Sequence, residues 1–426
     1  MEPEKTLSTW WGSATGRTVS TRSGAAYRIQ YPGRLNGAGG PDYRGAVLYH
    51  GGRVLIGDVE LHVRSSDWRR HGHGSDHEYD SVVLHVVFED DCGGKTTLAS
   101  GAHIPVAVAH GELSFAPVSR LPCAGYYAVE PAKVSEVLAR EGMARLLRKG
   151  RRAAEAVARV GRREALLCLV ARTLGYSSNA AQCENVAHRL CLPAIQTVLA
   201  SSSSLERQAL VLGMAGLLPS QRNASRAPGL EDCRSHESAW RSMGLEDLAM
   251  ASDEWNLGCI YPNNHPVRRL VGLADILSRL PRVVEVLGSS VASGLLDCPP
   301  LSVFEADFTV QGDDYWRRHF DFGRATPDSE VIGQGKTREI VVNALIPLAV
   351  AMASGDILRL ARLNKAIRAY PATGQNAVIR HMRAQLGISR AAMPAVQSQG
   401  MLRLFQMYCT RGLCAECPLG DRPVAS

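Results

Sequence analysis

A chain of 426 residues is long enough for two or three domains, and 48 Lys and Arg against 41 Asp and Glu leave it only mildly basic, at +7. That balance favours a polyanion as partner without establishing one, and a hydrophobic share of 45% is ordinary for a globular protein. The start MEPEKTLSTWWGS lacks the basic stretch and apolar core of a secretory signal, no apolar run is long enough to span a bilayer, and the cysteines are too scattered for a small secreted framework. The expectation is a cytoplasmic protein with no membrane partner and mostly reduced thiols; oligomeric state is not legible.

In chain order, Glu2 to Trp11 predicts a short helix ending near Gly12, with Trp10 and Trp11 packed inward. Tyr27 to Tyr31 predicts a strand. The Gly- and Pro-rich stretch PGRLNGAGGPDYRGA then delivers Pro41 and Asp42 to the start of another strand, Ala46 to His50. Gly51-Gly52 is a hairpin signal leading into a strand from Arg53 to Val63. Apolar and polar residues alternate through Val59, Glu60, Leu61, His62, Val63 and Arg64, which sends Glu60, His62 and Arg64 to one face. A crossover follows, carrying Asp67, His71, His73, Asp76, His77 and Asp80, and then a second apolar run, Val82 to Phe88, holding His85. Thr96 to Leu98 and Ile104 to Val108 complete a sheet of four to six strands in roughly the first 120 residues.

From Pro131 the composition turns to Ala, Leu, Arg and Glu, with apolar residues at helical spacing. Breaks fall at Gly175 to Asn179, Ser201 to Ser204, Pro219 to Glu237 and Pro262 to Pro266. Val267 to Leu280, Val341 to Ser354 and Ile357 to Ala369 predict helices. The expected class is α+β: a mixed-sheet domain at residues 1–130, an all-helical domain at 131–400, and a cysteine-bearing tail at 401–426.

Two carboxylates on adjacent strand ends, Asp42 and Glu60, can hold Mg²⁺, which takes oxygen ligands and acidifies a bound water. His62, on the same face, can orient that water. This pattern of Pro-Asp, spacer and Glu-X-basic resembles the PD-(D/E)XK nuclease superfamily, whose core runs helix, three-stranded meander, helix, strand. The resemblance implies phosphodiester hydrolysis in DNA or RNA, with Asp42 and Glu60 on the metal, His62 in place of the usual lysine, Arg64 or His85 supporting the phosphate, and Glu4 the first-helix carboxylate. The competing readings are a solvated sheet face of cross-strand pairs, and a zinc site of His71 and His73 with Asp67 or His85, above which an ordinary Gly-flanked loop ranks as the simpler account of HGHG.

Cys409, Cys414 and Cys417 in YCTRGLCAECPLG can converge on zinc or an iron–sulfur cluster, given a fourth ligand. Cys123, Cys168, Cys183, Cys191, Cys233, Cys259 and Cys298 are the candidates, and Cys259 stands out in the loop-like WNLGCIYPNNHP. Ordinary reduced thiols are the alternative. The excess of Lys and Arg between Lys133 and Arg172 suits a phosphate backbone but more often marks a solvated helix face.

Several stretches together resemble a bacterial family known only as a domain of unknown function, strand-rich first and helical after. They are Pro32 to Asn36, Gly40-Pro41-Asp42, GDVELHVRSSDW, His71-Gly72-His73, Tyr79-Asp80, LHVV, Leu174-Gly175-Tyr176, Asn264-His265-Pro266 with Arg268-Arg269-Leu270, Asn343, and the terminal cysteines. That likeness implies a full-length member and no function. The functional expectation is a metal-dependent nuclease; the alternative is a non-catalytic scaffold binding nucleic acid or protein, with a structural zinc or iron–sulfur site.

Overall fold

The helix expected at the N-terminus forms as α1 (Pro3–Gly12) and buries Leu7, Trp10 and Trp11. The indole of Trp11 donates to the Pro32 carbonyl at 2.9 Å, so burial of this large side chain leaves no polar atom unpaired. The computed structural model describes residues 3–37, 39–109, 123–176, 178–222, 233–258, 260–293, 301–371, 373–374, 376–388 and 393–420.

Eight strands follow α1: β1 (Thr18–Thr21), β2 (Ala26–Tyr31), β3 (Arg34–Leu35), β4 (Tyr43–His50), β5 (Arg53–Arg64), β6 (Val82–Glu89), β7 (Lys95–Thr97) and β8 (His103–Val108). Gly51 and Gly52 both adopt positive φ, +55° and +79°, as a two-residue hairpin turn requires, and place His50 opposite Arg53. The sheet runs β1-β2-β4-β5-β6-β8-β7, and β1 also pairs with β8. The circuit β1-β2-β4-β5-β6-β8 is therefore closed. Sequence periodicity counted too few strands because β1 and β3 are only four and two residues long.

Most neighbours are antiparallel, but β5–β6 and β6–β8 are parallel. A parallel partner cannot be reached by a tight turn. The chain leaves β5, forms the short helix α2 (Asp67–Arg70) and two 3₁₀ turns (His73–Ser75 and His77–Tyr79), and returns into β6. One face of the β5–β6 pair supplies Val59, Leu61, Leu84 and Val86 to a core shared with α1. Around the crossover a smaller cluster joins Trp68, Tyr79, Val82, Leu98 and Ile104. Both faces of β5 are thus covered, and the solvated-face reading of Glu60 and His62 does not hold: they are 5% and 1% exposed.

The chain divides into two compact units, one of Met1–Glu141, Gln375–Ala391 and Gly400–Ser426, the other of Gly142–Gly374 and Ala392–Gln399. The second is helical, with the predicted Ile357–Ala369 helix at those bounds and a two-stranded hairpin, His319–Asp321 with Arg324–Ala325, that the helical periodicity concealed. The Val341–Ser354 prediction splits into a π-turn at Val341–Leu345 and a helix from Ile346, just ahead of Pro347, which has no N–H to give. Arg268 is buried within this unit, its guanidinium donating to the backbone carbonyls of Trp316, His319 and Ser329. It is spent on structure and cannot meet a phosphate. Of the basic run, Lys149 is half-buried, donating to Asn343 Oδ1 at 2.5 Å and Gln399 Oε1 at 3.1 Å, while Arg140, Arg148, Arg151, Arg152 and Arg159 are exposed.

Gly57 tests the parallel pairing. A Cβ there would lie 2.2 Å from Val83 Cγ1 and 2.8 Å from the Ser81 carbonyl, whereas Gly37 has nothing within 4 Å. Gly57→Ala should cost about 1–3 kcal/mol by overpacking and Gly37→Ala almost nothing. Urea midpoints followed by tryptophan fluorescence separate the two, and equal midpoints would contradict the register.

Candidate metal and catalytic site

Asp42 precedes β4, and the bulged pairing of Tyr43 with Val59 sets it beside Glu60. The two carboxylates exchange backbone bonds. The Asp42 N–H donates to Glu60 Oε2 at 2.9 Å, and the Leu61 N–H donates to Asp42 Oδ2 at 3.1 Å. Burial pushes Asp42 up to about 6, opposed by the Leu61 bond and aided by the charge of Glu4. Glu60 is pushed up to about 8, by burial first, then by Asp42, with Glu4 a smaller contributor. Glu4 itself is exposed in the first turn of α1, near enough to act on both.

Two residues along β5, His62 occupies the same face as Glu60. Its Nε2 is 3.1 Å from His71 Nδ1 and 3.6 Å from Glu60 Oε1, and His73 Nε2 is 3.3 Å from that same oxygen. His62, His71 and His73 offer nitrogens all within 4.8 Å of one another, the group of this kind among the described residues. A tetrahedral ion with ligands at about 2.0–2.1 Å spaces them about 3.3 Å apart, close to these separations. His71 is exposed, His73 half-buried and His62 interior, so the group opens to solvent on one side.

Behind it stands His85, 0% exposed, opposite Glu60 in the parallel register. His62 Nδ1 is 2.9 Å from His85 Nε2, and His85 Nδ1 is 2.8 Å from Thr96 Oγ1. One tautomer assignment satisfies the chain: Nδ1–H of His62 donates to His85, Nδ1–H of His85 donates to Thr96, and His62 Nε2 keeps its lone pair facing the carboxylate side. Burial, with the neighbouring imidazoles, drives His62 down to about 2 and His85 to about 4, so both are neutral. His73, also lowered chiefly by burial, stacks on Tyr79 at 3.9 Å and meets the edge of Trp68 at 5.4 Å.

The structure thus brings together Asp42, Glu60, His62 and His85 as expected, and adds His71 and His73. The zinc reading had paired those two with Asp67 or His85. His62 takes that place instead, because Asp67 is used locally, accepting from the Arg64 N–H at 3.1 Å and pairing with Arg70 at 2.9 Å. The signal was present as three histidines, two on a short crossover and one on the strand before it, but only the parallel return shows that they meet. Arg64 does not join them: it is exposed and pairs with Glu89 at 3.2 Å. Cys409, Cys414 and Cys417 lie in the same compact unit but not in this donor set, and Cys259 lies outside the described residues.

A family model described as a protein of unknown function, DUF2851, matches residues 4–371. No curated protein and no solved structure matches the chain.

The imidazoles and the carboxylates bend stability with pH in opposite senses in the metal-free protein. His62 falls from 6.5 to about 2 on folding, so the stability of keeping it neutral is complete above about 6.5 and is lost as the pH drops toward 2. Glu60 rises from 4.5 to about 8, so its contribution is present at low pH and is lost as the pH climbs through about 8. Glu60→Gln should therefore gain stability relative to the wild type as pH rises from about 6 to 8. Thermal unfolding in chelator across that range measures the difference, and a pH-independent difference would contradict the assignment.

Proposed function

We infer that this chain, which belongs to the DUF2851 family of proteins of unknown function, is a divalent-metal-dependent hydrolase that cleaves a phosphodiester in DNA or RNA. The observation that carries this reading is the meeting of one carboxylate oxygen and three imidazole nitrogens near tetrahedral spacing, beside a second carboxylate whose proton is held near neutrality. Glu60, His62, His71 and His73 would hold the ion. Imidazole-rich donors suit zinc or manganese better than the Mg²⁺ that the two acidic residues alone suggest.

Bound there, a divalent ion supplies a Lewis acid and an acidified water. The residues of the chain do the rest. Asp42, fixed by the Leu61 amide through one oxygen, keeps the other for a water proton, and a carboxylate titrating near 6 is suited to that transfer. His85 and Thr96 hold His62 in the tautomer that presents Nε2. Trp68 and Tyr79 wall the inner side of His73 and exclude water from it. Support for a nucleic-acid substrate comes from the net charge of +7, which favours a polyanion.

The test is hydrolysis of single-stranded and duplex DNA and RNA by chelated protein resupplied with Mn²⁺, Zn²⁺ or Mg²⁺. Cleavage should need the ion and fall by about 10²–10⁴ in Asp42→Asn, which keeps its metal. His73→Ala should lose metal and activity together. Metal bound with every nucleic acid left intact would sink the nuclease in favour of a scaffold.

A further inference from the structure

The chain carries another constellation that the hydrolase reading does not use. Cys409 comes one helical turn after Phe405 of the Ala395–Met407 helix, whose ring meets Tyr31 at 5.0 Å and His381 at 5.9 Å. One turn beyond His381 on the Ala377–Leu386 helix is Gln385, whose Nε2 lies 2.8 Å from Cys123 Sγ and whose carbonyl accepts from the Gly125 N–H at 2.9 Å. A cysteine remote in sequence is thereby led to the cysteine-bearing tail.

The tail itself is wound tightly. The Cys417 N–H donates to the Cys414 carbonyl at 3.2 Å, and the Gly420 N–H to the Cys417 carbonyl at 2.7 Å. Gly420 packs so close that a Cβ would stand 1.9 Å from the Cys414 carbonyl. The Leu419 N–H donates to the Cys417 sulfur, and the Gln30 amide reaches Cys414 Sγ at 4.0 Å. All four thiols are free of disulfides, and Cys409 is buried. The four thiols stand near enough to act on one another electrostatically, Cys409 with Cys123, Cys414 and Cys417, and Cys123 with Cys414. Four such groups brought together repel one another as bare thiolates and become stable ligands once a thiophilic cation neutralises them.

We propose that Cys123, Cys409, Cys414 and Cys417 together bind one all-thiolate metal centre, with Cys123 as the remote fourth ligand. No three of the sulfurs lie mutually within 4.8 Å as the three imidazoles do. A single zinc with Zn–S near 2.3 Å needs sulfurs about 3.8 Å apart, while a four-iron cluster holds its cysteines wider, which makes the cluster the expected occupant. Its role is to staple the C-terminal segment and the Cys123 segment together, since its ligands come from both.

The experiment is iron, zinc and acid-labile sulfide content of the full chain purified without air, in wild type, Cys123→Ser, Cys259→Ser and His73→Ala. Iron and sulfide, about four each, should be present in wild type, Cys259→Ser and His73→Ala and absent in Cys123→Ser. Zinc lost in the same variant upholds the four-thiolate site with the smaller ion. No metal in the wild type, or full metal in Cys123→Ser, overturns it. Alkylation of the wild-type protein removes any dependence on the variant's folding: exposed Cys92 should react at once, and the four should stay protected until the metal is removed and then react together. Reaction of Cys123 at the rate of Cys92 in the metal-loaded protein overturns the proposal as well.

Discussion

The parallel pairing of β5 with β6 is the constraint on which the site depends. Because the two strands run the same way, the chain must cross over between them, and it crosses on the face that carries Glu60, His62 and His85. That return carries His71 and His73 onto His62, and Trp68 and Tyr79 onto the rim. A hairpin in the same place would have left the polar face of β5 in water. On the opposite face, the core shared with α1 fixes strand positions from which these side chains project.

Burying such a set is expensive, and the structure shows how the cost is met. Each carboxylate accepts a backbone N–H from the other's neighbourhood, and the inner histidines form a chain, His62 bonded to His85 and His85 to Thr96. Neutral imidazoles and half-protonated acids are the form that survives in a dry interior without a cation. A cation reverses that logic: it favours the ionised carboxylate and uses the lone pairs that burial has kept free of protons. The same features that make the metal-free cluster uneasy make it a good ligand set.

Much of this was legible in sequence, and the reasons for the rest are physical. Alternation along β5 placed Glu60 and His62 together, the Gly51-Gly52 pair announced the hairpin, and Pro41-Asp42 at a strand start foretold its meeting with Glu60. These are local patterns with a period of two. The meeting of His71 and His73 with His62 is set by strand direction, which has no local signature. Closure of the sheet through β1 and β8 joins segments far apart in sequence, and Thr18–Thr21 is too short to announce itself. The burial of Arg268 is not legible in sequence, because its guanidinium depends on backbone acceptors distant along the chain that only the fold shows. Cys123, the fourth ligand we propose, stood as one candidate in seven for the same reason.

The central claim is that Glu60, His62, His71 and His73 form one divalent-metal site. The most direct measurement is an anomalous-scattering map from crystals soaked in Mn²⁺, a hard enough ion to leave the thiolates aside. The account predicts a single strong peak between the three imidazoles and the Glu60 carboxylate, with Asp42 beside it. A map with no peak there, or with manganese bound only by exposed surface carboxylates, would contradict it.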